Sequence, residues 1–116
     1  MKKIAILLTA VSILFVLSCT AFAHPPKNIA ASWNASQETL TVTAEHSVED
    51  AAKHYILSLT ILDGTKQLVM KQYSKQNSTD GFSDSLILKG MKSGTKLRIQ
   101  LVCNIMGSKE LQYIIP

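Results

Sequence analysis

The chain has 116 residues, 12 Lys and Arg against 8 Asp and Glu, and a formal net charge of +4. That length holds one compact domain and not two, with no internal repeat and no low-complexity stretch. No basic stripe interleaved with aromatic residues is present, which argues against a nucleic-acid-binding protein.

The N-terminus reads as a secretory signal. Lys2 and Lys3 precede an apolar run over residues 4–17, and Ser18-Cys19-Thr20-Ala21-Phe22-Ala23 follows. A basic start, an apolar stretch too short to span a bilayer and an A-x-A ending predict cleavage after Ala23. Residues 1–23 are then a signal peptide, and residues 24–116 a single exported domain, periplasmic or extracellular, with no transmembrane helix. A competing cut exists, because Val16-Leu17-Ser18-Cys19 loosely resembles a lipobox in which Cys19 is lipidated. Leu17 fits that pattern poorly, and the ordinary cut before His24 is the expected one.

Cleavage changes the chemistry that remains. Losing Lys2 and Lys3 leaves 10 basic against 8 acidic residues, so the high pI of the whole chain does not indicate a polyanion ligand. Cys19 leaves as well, and Cys103 then has no intramolecular disulfide partner. An unpaired thiol in an exported protein is a buried inert residue, an intermolecular disulfide or a ligand.

The body reads as strands separated by turns. Residues 29–33 open it, and Leu40, Val42 and Ala44 alternate with Thr39, Thr41 and Thr43 at the period of a half-buried strand. Residues 47–53 are the one place where a helical turn fits. Tyr55, Leu57, Leu59 and Ile61 form the next predicted apolar face, with Ser58 and Thr60 opposite. Asp63-Gly64 is a strong hairpin signal leading into a strand over residues 66–73. Residues 76–81 are a polar loop, and alternation resumes over residues 82–88. After a turn at residues 92–95, Leu97, Ile99, Leu101 and Cys103 share one face, and residues 110–115 close the chain. About seven short strands at this spacing predict an all-β, immunoglobulin-like Greek-key sandwich.

Strand phase places the metal-binding side chains. His46 continues the face of Leu40, Val42 and Ala44, Cys103 ends the face begun by Leu97, and His54 stands at the start of its strand. Strand ends gather at one rim of a sandwich, so the three converge there. With His24 at the mature terminus, every imidazole and the one remaining thiol belong to a single candidate site. Met106, three residues after Cys103 on a turn containing Gly107, adds a thioether. Imidazole and thiolate suit iron, zinc or copper, and a methionine tilts the set toward copper.

Short motifs in this part of the chain carry a resemblance. His54-Tyr55-Ile56 with the later Asp63-Gly64 is similar to the H-Y-I strand and D-G turn of the iron domain of the desulfoferrodoxin and superoxide reductase family. Cys103-Asn104-x-x-Gly107 resembles that family's C-N-x-H-G turn, and His46 stands where the family has the histidine of an H-P-M loop. The resemblance covers roughly residues 40–107. It implies an immunoglobulin-like sandwich with a mononuclear non-haem iron, His46 and His54 as equatorial ligands and Cys103 as the axial thiolate. It also implies superoxide, or another small anion, as the molecule that meets the metal, and an electron donor that the sequence leaves unknown. His24 is the candidate for an upstream ligand, and its freed α-amino group is a further donor. Ser47 replaces the family's proline, and Met106 occupies the place of its last histidine, so four histidines cannot assemble from this chain. Catalytic residues remain unassigned. The alternatives are a copper carrier or copper redox protein using His46, His54, Cys103 and Met106, and a non-catalytic β-sandwich that binds another envelope protein.

Overall fold

The computed structural model describes residues 24–116; the signal-peptide reading, with Lys2, Lys3 and Cys19, lies outside the described residues. Seven strands form: β1 (Lys27–Asn34), β2 (Thr39–Glu45), β3 (Ile56–Asp63), β4 (Lys66–Gln72), β5 (Gly81–Ile87), β6 (Lys96–Cys103) and β7 (Ser108–Ile114). They pair antiparallel in two sheets, ordered β1-β2-β5 and β4-β3-β6-β7. The chain therefore changes sheet after β2, β4 and β5, which gives the expected all-β sandwich.

Alternation drives the packing. Leu40 and Val42 of β2 and Leu97, Ile99 and Leu101 of β6 are fully buried, while residues between them face out or lie half-buried. Across the interior they meet Ile56, Leu59 and Ile61 of β3 and Phe82 and Leu86 of β5. Each fully buried aliphatic side chain contributes about 1.5–3 kcal/mol, so this two-sided stripe is the main source of stability.

One predicted face is broken. Tyr55 and Leu57 do not continue the inward set of Leu59 and Ile61; Leu57 is 36% exposed and Ile56 is completely buried. The cause is a bulge in β3. Ile56 pairs with Cys103 and Ser58 with Val102, so two steps along β3 match one step along β6. An extra residue in a strand reverses side-chain phase on one side of it. The reversal turns Ile56 inward opposite Cys103.

The open side of the sandwich, where edge strands β4 and β5 face each other, is closed by polar contacts. Asp84 of β5 accepts from the Tyr73 hydroxyl at 2.6 Å and from Lys71 Nζ at 2.8 Å. The Tyr73 ring also meets Phe82 edge-on, with centroids 5.0 Å apart.

Candidate metal centre

One rim collects the N-terminal segment, the end of β2, the approach to β3, the segment after β4 and the end of β6. The β2–β3 connection brings both of its histidines to this rim. His46 follows β2 directly, and its amide donates to the Asp80 carbonyl at 3.0 Å, while Val48 N bonds the Thr79 carbonyl. The helical turn expected in residues 47–53 is present as a single turn. The Asp50 carbonyl accepts from Lys53 N and His54 N, and the Asp50 side chain accepts from Ala52 N. That turn presents His54.

Asn104 locks His54 to the end of β6. Its side chain accepts from Tyr55 N at 2.9 Å and donates to the Lys53 carbonyl at 3.0 Å, gripping the chain on both sides of His54. Asn104 N in turn donates to the Tyr55 carbonyl. In this frame His54 Nε2 lies 3.1 Å from Cys103 Sγ. Cys103 is 4% exposed and carries a free thiol.

The three imidazoles converge. Ring centroids of His46 and His54 are 4.7 Å apart, those of His24 and His46 4.9 Å, and those of His24 and His54 5.2 Å. One donor nitrogen from each lies within 4.8 Å of the other two. With metal–nitrogen bonds near 2.1 Å, three donors around one ion sit about 3.0–3.6 Å apart, so an inward shift of each ring by up to about 1 Å closes the set. A nitrogen and a thiolate held at right angles by one ion sit about 3.1 Å apart, the separation of His54 and Cys103. The three histidines can hold a metal ion, and Cys103 is joined to them through His54.

Hydrogen bonds select which nitrogen each ring offers. Gln76 is 4% exposed, and its amide nitrogen donates to the His46 carbonyl at 2.8 Å and the Ser78 carbonyl at 2.9 Å. That fixes its orientation, so Gln76 Oε1 accepts from His46 Nδ1 at 2.8 Å and from Ile56 N. His46 Nδ1 thus carries a proton and Nε2 is the free donor, the arrangement that orients a ligating histidine. This Nε2 faces the His24 carbonyl oxygen at 3.2 Å. Two lone pairs oppose each other there in the neutral ring, a place that favours a cation. His24 Nε2 contacts the Ser47 carbonyl at 2.8 Å and Nδ1 the Pro25 carbonyl at 3.3 Å; carbonyls only accept, so in the neutral ring the proton sits on Nε2, at the shorter contact, and the Nδ1 lone pair faces the Pro25 oxygen.

His24 is held by its neighbours. Pro26 is fully buried, and Gly107 packs on Pro25 so closely that a Cβ on Gly107 would come within 2.9 Å of Pro25 Cβ. Gly107 also has φ +91°, which an L side chain rarely adopts. The turn after Cys103 therefore seats the segment that carries His24. Burial, with added repulsion from His46 and His24, holds the His54 pKa below its ordinary 6.5. A histidine that resists protonation keeps its lone pair for a ligand.

His24, Ser47, Val48, Glu49, Asp50, Lys53 and His54 line an open cleft of about 570 Å³ beside the cluster. Met106 takes no part in these contacts; it is 66% exposed on the turn before β7. Gln76 and the Ser47 carbonyl are the partners that sequence reasoning missed. Gln76 reads as one more polar loop residue, and no side chain encodes a backbone carbonyl.

These features define a class: an all-β sandwich with a histidine cluster at one rim that can hold a metal. Comparison with protein-family models and with curated proteins finds no match. Among solved structures, the chain is similar to a superoxide reductase crystallised in the oxidized state. The TM-score is 0.53 at 15% identity, over 83% of this chain and 93% of the other. At that identity the likeness is one of fold.

Proposed function

We propose that this protein is an exported metalloprotein in which His24, His46, His54 and Cys103 hold one iron ion that reduces superoxide. The observation that carries the reading is the convergence of three imidazoles from separate segments, with the Cys103 thiol 3.1 Å from one of them. The superoxide-reductase-like fold supports iron as the resident metal. When bound, iron supplies the one electron that, with two protons from water, turns superoxide into hydrogen peroxide.

The chain's own residues do the rest. Gln76 and Ser47 hold protons on His46 Nδ1 and His24 Nε2, which leaves lone pairs on His46 Nε2 and His24 Nδ1. As a ligand, Cys103 would contribute a thiolate's negative charge from a buried position, which would favour an oxidised ion over a reduced one. The open cleft admits a small anion. Its lining carries Lys53 against Glu49 and Asp50, so attraction for an anion comes from the ion itself rather than from the walls.

Anaerobic reconstitution of the mature chain with ferrous iron tests this reading. One iron per chain, a thiolate-to-iron charge-transfer band on oxidation and rapid oxidation by superoxide are expected. Absence of the band and of the reaction with superoxide overturns it.

A further inference from the structure

We propose that the α-amino group of His24, freed when the leader is removed, is a further nitrogen ligand that closes a chelate ring with His24 Nδ1. The proposal rests on the metal-site reading above and concerns how that site is completed.

The tautomer is the first argument. A metal bound to Nδ1 closes a six-membered ring with the same residue's backbone nitrogen, through Cα, Cβ and Cγ; Nε2 points too far away to do so. The Ser47 carbonyl takes the Nε2 proton at 2.8 Å, a shorter contact than the 3.3 Å from Nδ1 to the Pro25 carbonyl, so in the neutral ring Nδ1 is the nitrogen left with a lone pair. His46 is held in the opposite sense, with Nδ1 bonded to Gln76 and Nε2 free. The two rings are set for different modes of ligation, and only the one at residue 24 is set for a chelate.

Backbone placement is the second argument. The His24 carbonyl oxygen lies 3.2 Å from His46 Nε2, so the main chain of residue 24, and not its ring alone, borders the donor set. Pro25 against Gly107, together with buried Pro26, holds that main chain in place. Three imidazoles and a thiolate also leave room for another donor on an ion that takes up to six.

Covalent chemistry supplies the condition. While Ala23 precedes it, the nitrogen of residue 24 is an amide whose lone pair is delocalised into the carbonyl, and it is a poor ligand. Cleavage after Ala21-Phe22-Ala23 turns it into an amine. The precursor then lacks the chelate and the mature chain has it, which couples tight metal binding to processing.

Three measurements test the proposal. Cupric ion is the probe, because its electron paramagnetic resonance spectrum counts coupled nitrogens whichever metal is resident. The chain beginning at His24 is compared with the same chain acetylated at its N-terminus, which keeps every side chain of the site and has no free α-amino group. The acetylated form should bind about tenfold more weakly or worse and show one coupled nitrogen fewer. Equal affinity and equal couplings overturn the chelate while leaving the metal site standing. Binding by neither form, to copper or to ferrous iron, overturns the metal-site reading and the chelate with it. N-terminal sequencing of protein exported by a secreting host should begin at His24; a start at Cys19 overturns the chelate alone.

Discussion

Two polar clusters sit on this sandwich, and they differ in how completely their groups are satisfied. At the β4–β5 edge, the Asp84 side chain accepts from Tyr73, Lys71 and Ser85 N, and each donor has found an acceptor. At the rim, His46 Nε2 and His24 Nδ1 each face a carbonyl oxygen, at 3.2 and 3.3 Å, and three imidazole centroids crowd within 5.2 Å of one another. A closed network of this kind holds structure together; an open one, held rigid by Gln76 and Asn104, is prepared for something absent from the chain. Substitutions in the two clusters should separate metal affinity from stability.

The largest effect on binding is expected from His54→Ala. Metal affinity in a competition titration should fall by about a hundredfold or more, because a direct ligand is lost, more than the 10–100-fold of an outer partner. Its apo-protein should melt close to the parent at neutral pH. Gln76→Ala comes next and crosses the boundary between the clusters. It strips the His46 carbonyl, the Ser78 carbonyl and His46 Nδ1 of their partner, so about 1–3 kcal/mol of stability and about 10–100-fold in affinity should go together.

Asp84→Asn is the converse test. Burial raises the Asp84 pKa, but hydrogen bonds from Lys71, Tyr73 and Ser85 N outweigh it and hold the carboxyl below its ordinary 3.8. The charge is therefore stabilising, and the variant should lose about 1–3 kcal/mol in denaturant melts with metal affinity unchanged. Tyr73, half-buried against this carboxylate, stays protonated well above its ordinary value and remains a donor throughout.

The smallest effect is a pH dependence that separates the clusters without mutation. His54 has a lowered pKa when folded, so the unfolded chain binds more protons below pH 6.5. Apo-protein stability should be complete above that value and decline as pH falls through the folded pKa. The Asp84 contribution has the same sign but is held down to about pH 3.8 and is lost as pH falls further through the folded pKa. Thermal melts from pH 7.5 to 3 should show the first decline vanish in His54→Ala and persist in Asp84→Asn.

Much of the rim was legible in the sequence because phase carries over from a strand to the residue after it. Leu40, Val42 and Ala44 point inward, and His46 does too; Leu97, Ile99 and Leu101 do the same for Cys103. Prediction failed at Leu57, because a bulge depends on how β3 meets β6, and that pairing has no local signature. Asn104, which reads as ordinary turn chemistry, acquires its role only when the chain around His54 lies against it. The exposure of Met106 shows the limit of proximity along the chain: three residues beyond a buried cysteine, the turn has already left the interior.

The proposed function depends above all on the imidazoles and Cys103 binding one metal together. X-ray absorption at the metal edge, on the mature chain loaded with one equivalent of ferrous iron, tests it most directly. A shell of nitrogen scatterers near 2.1 Å and a single sulfur near 2.3 Å are expected, with the sulfur lost in Cys103→Ser. A shell of light atoms alone in the parent protein, unchanged in that variant, would contradict it.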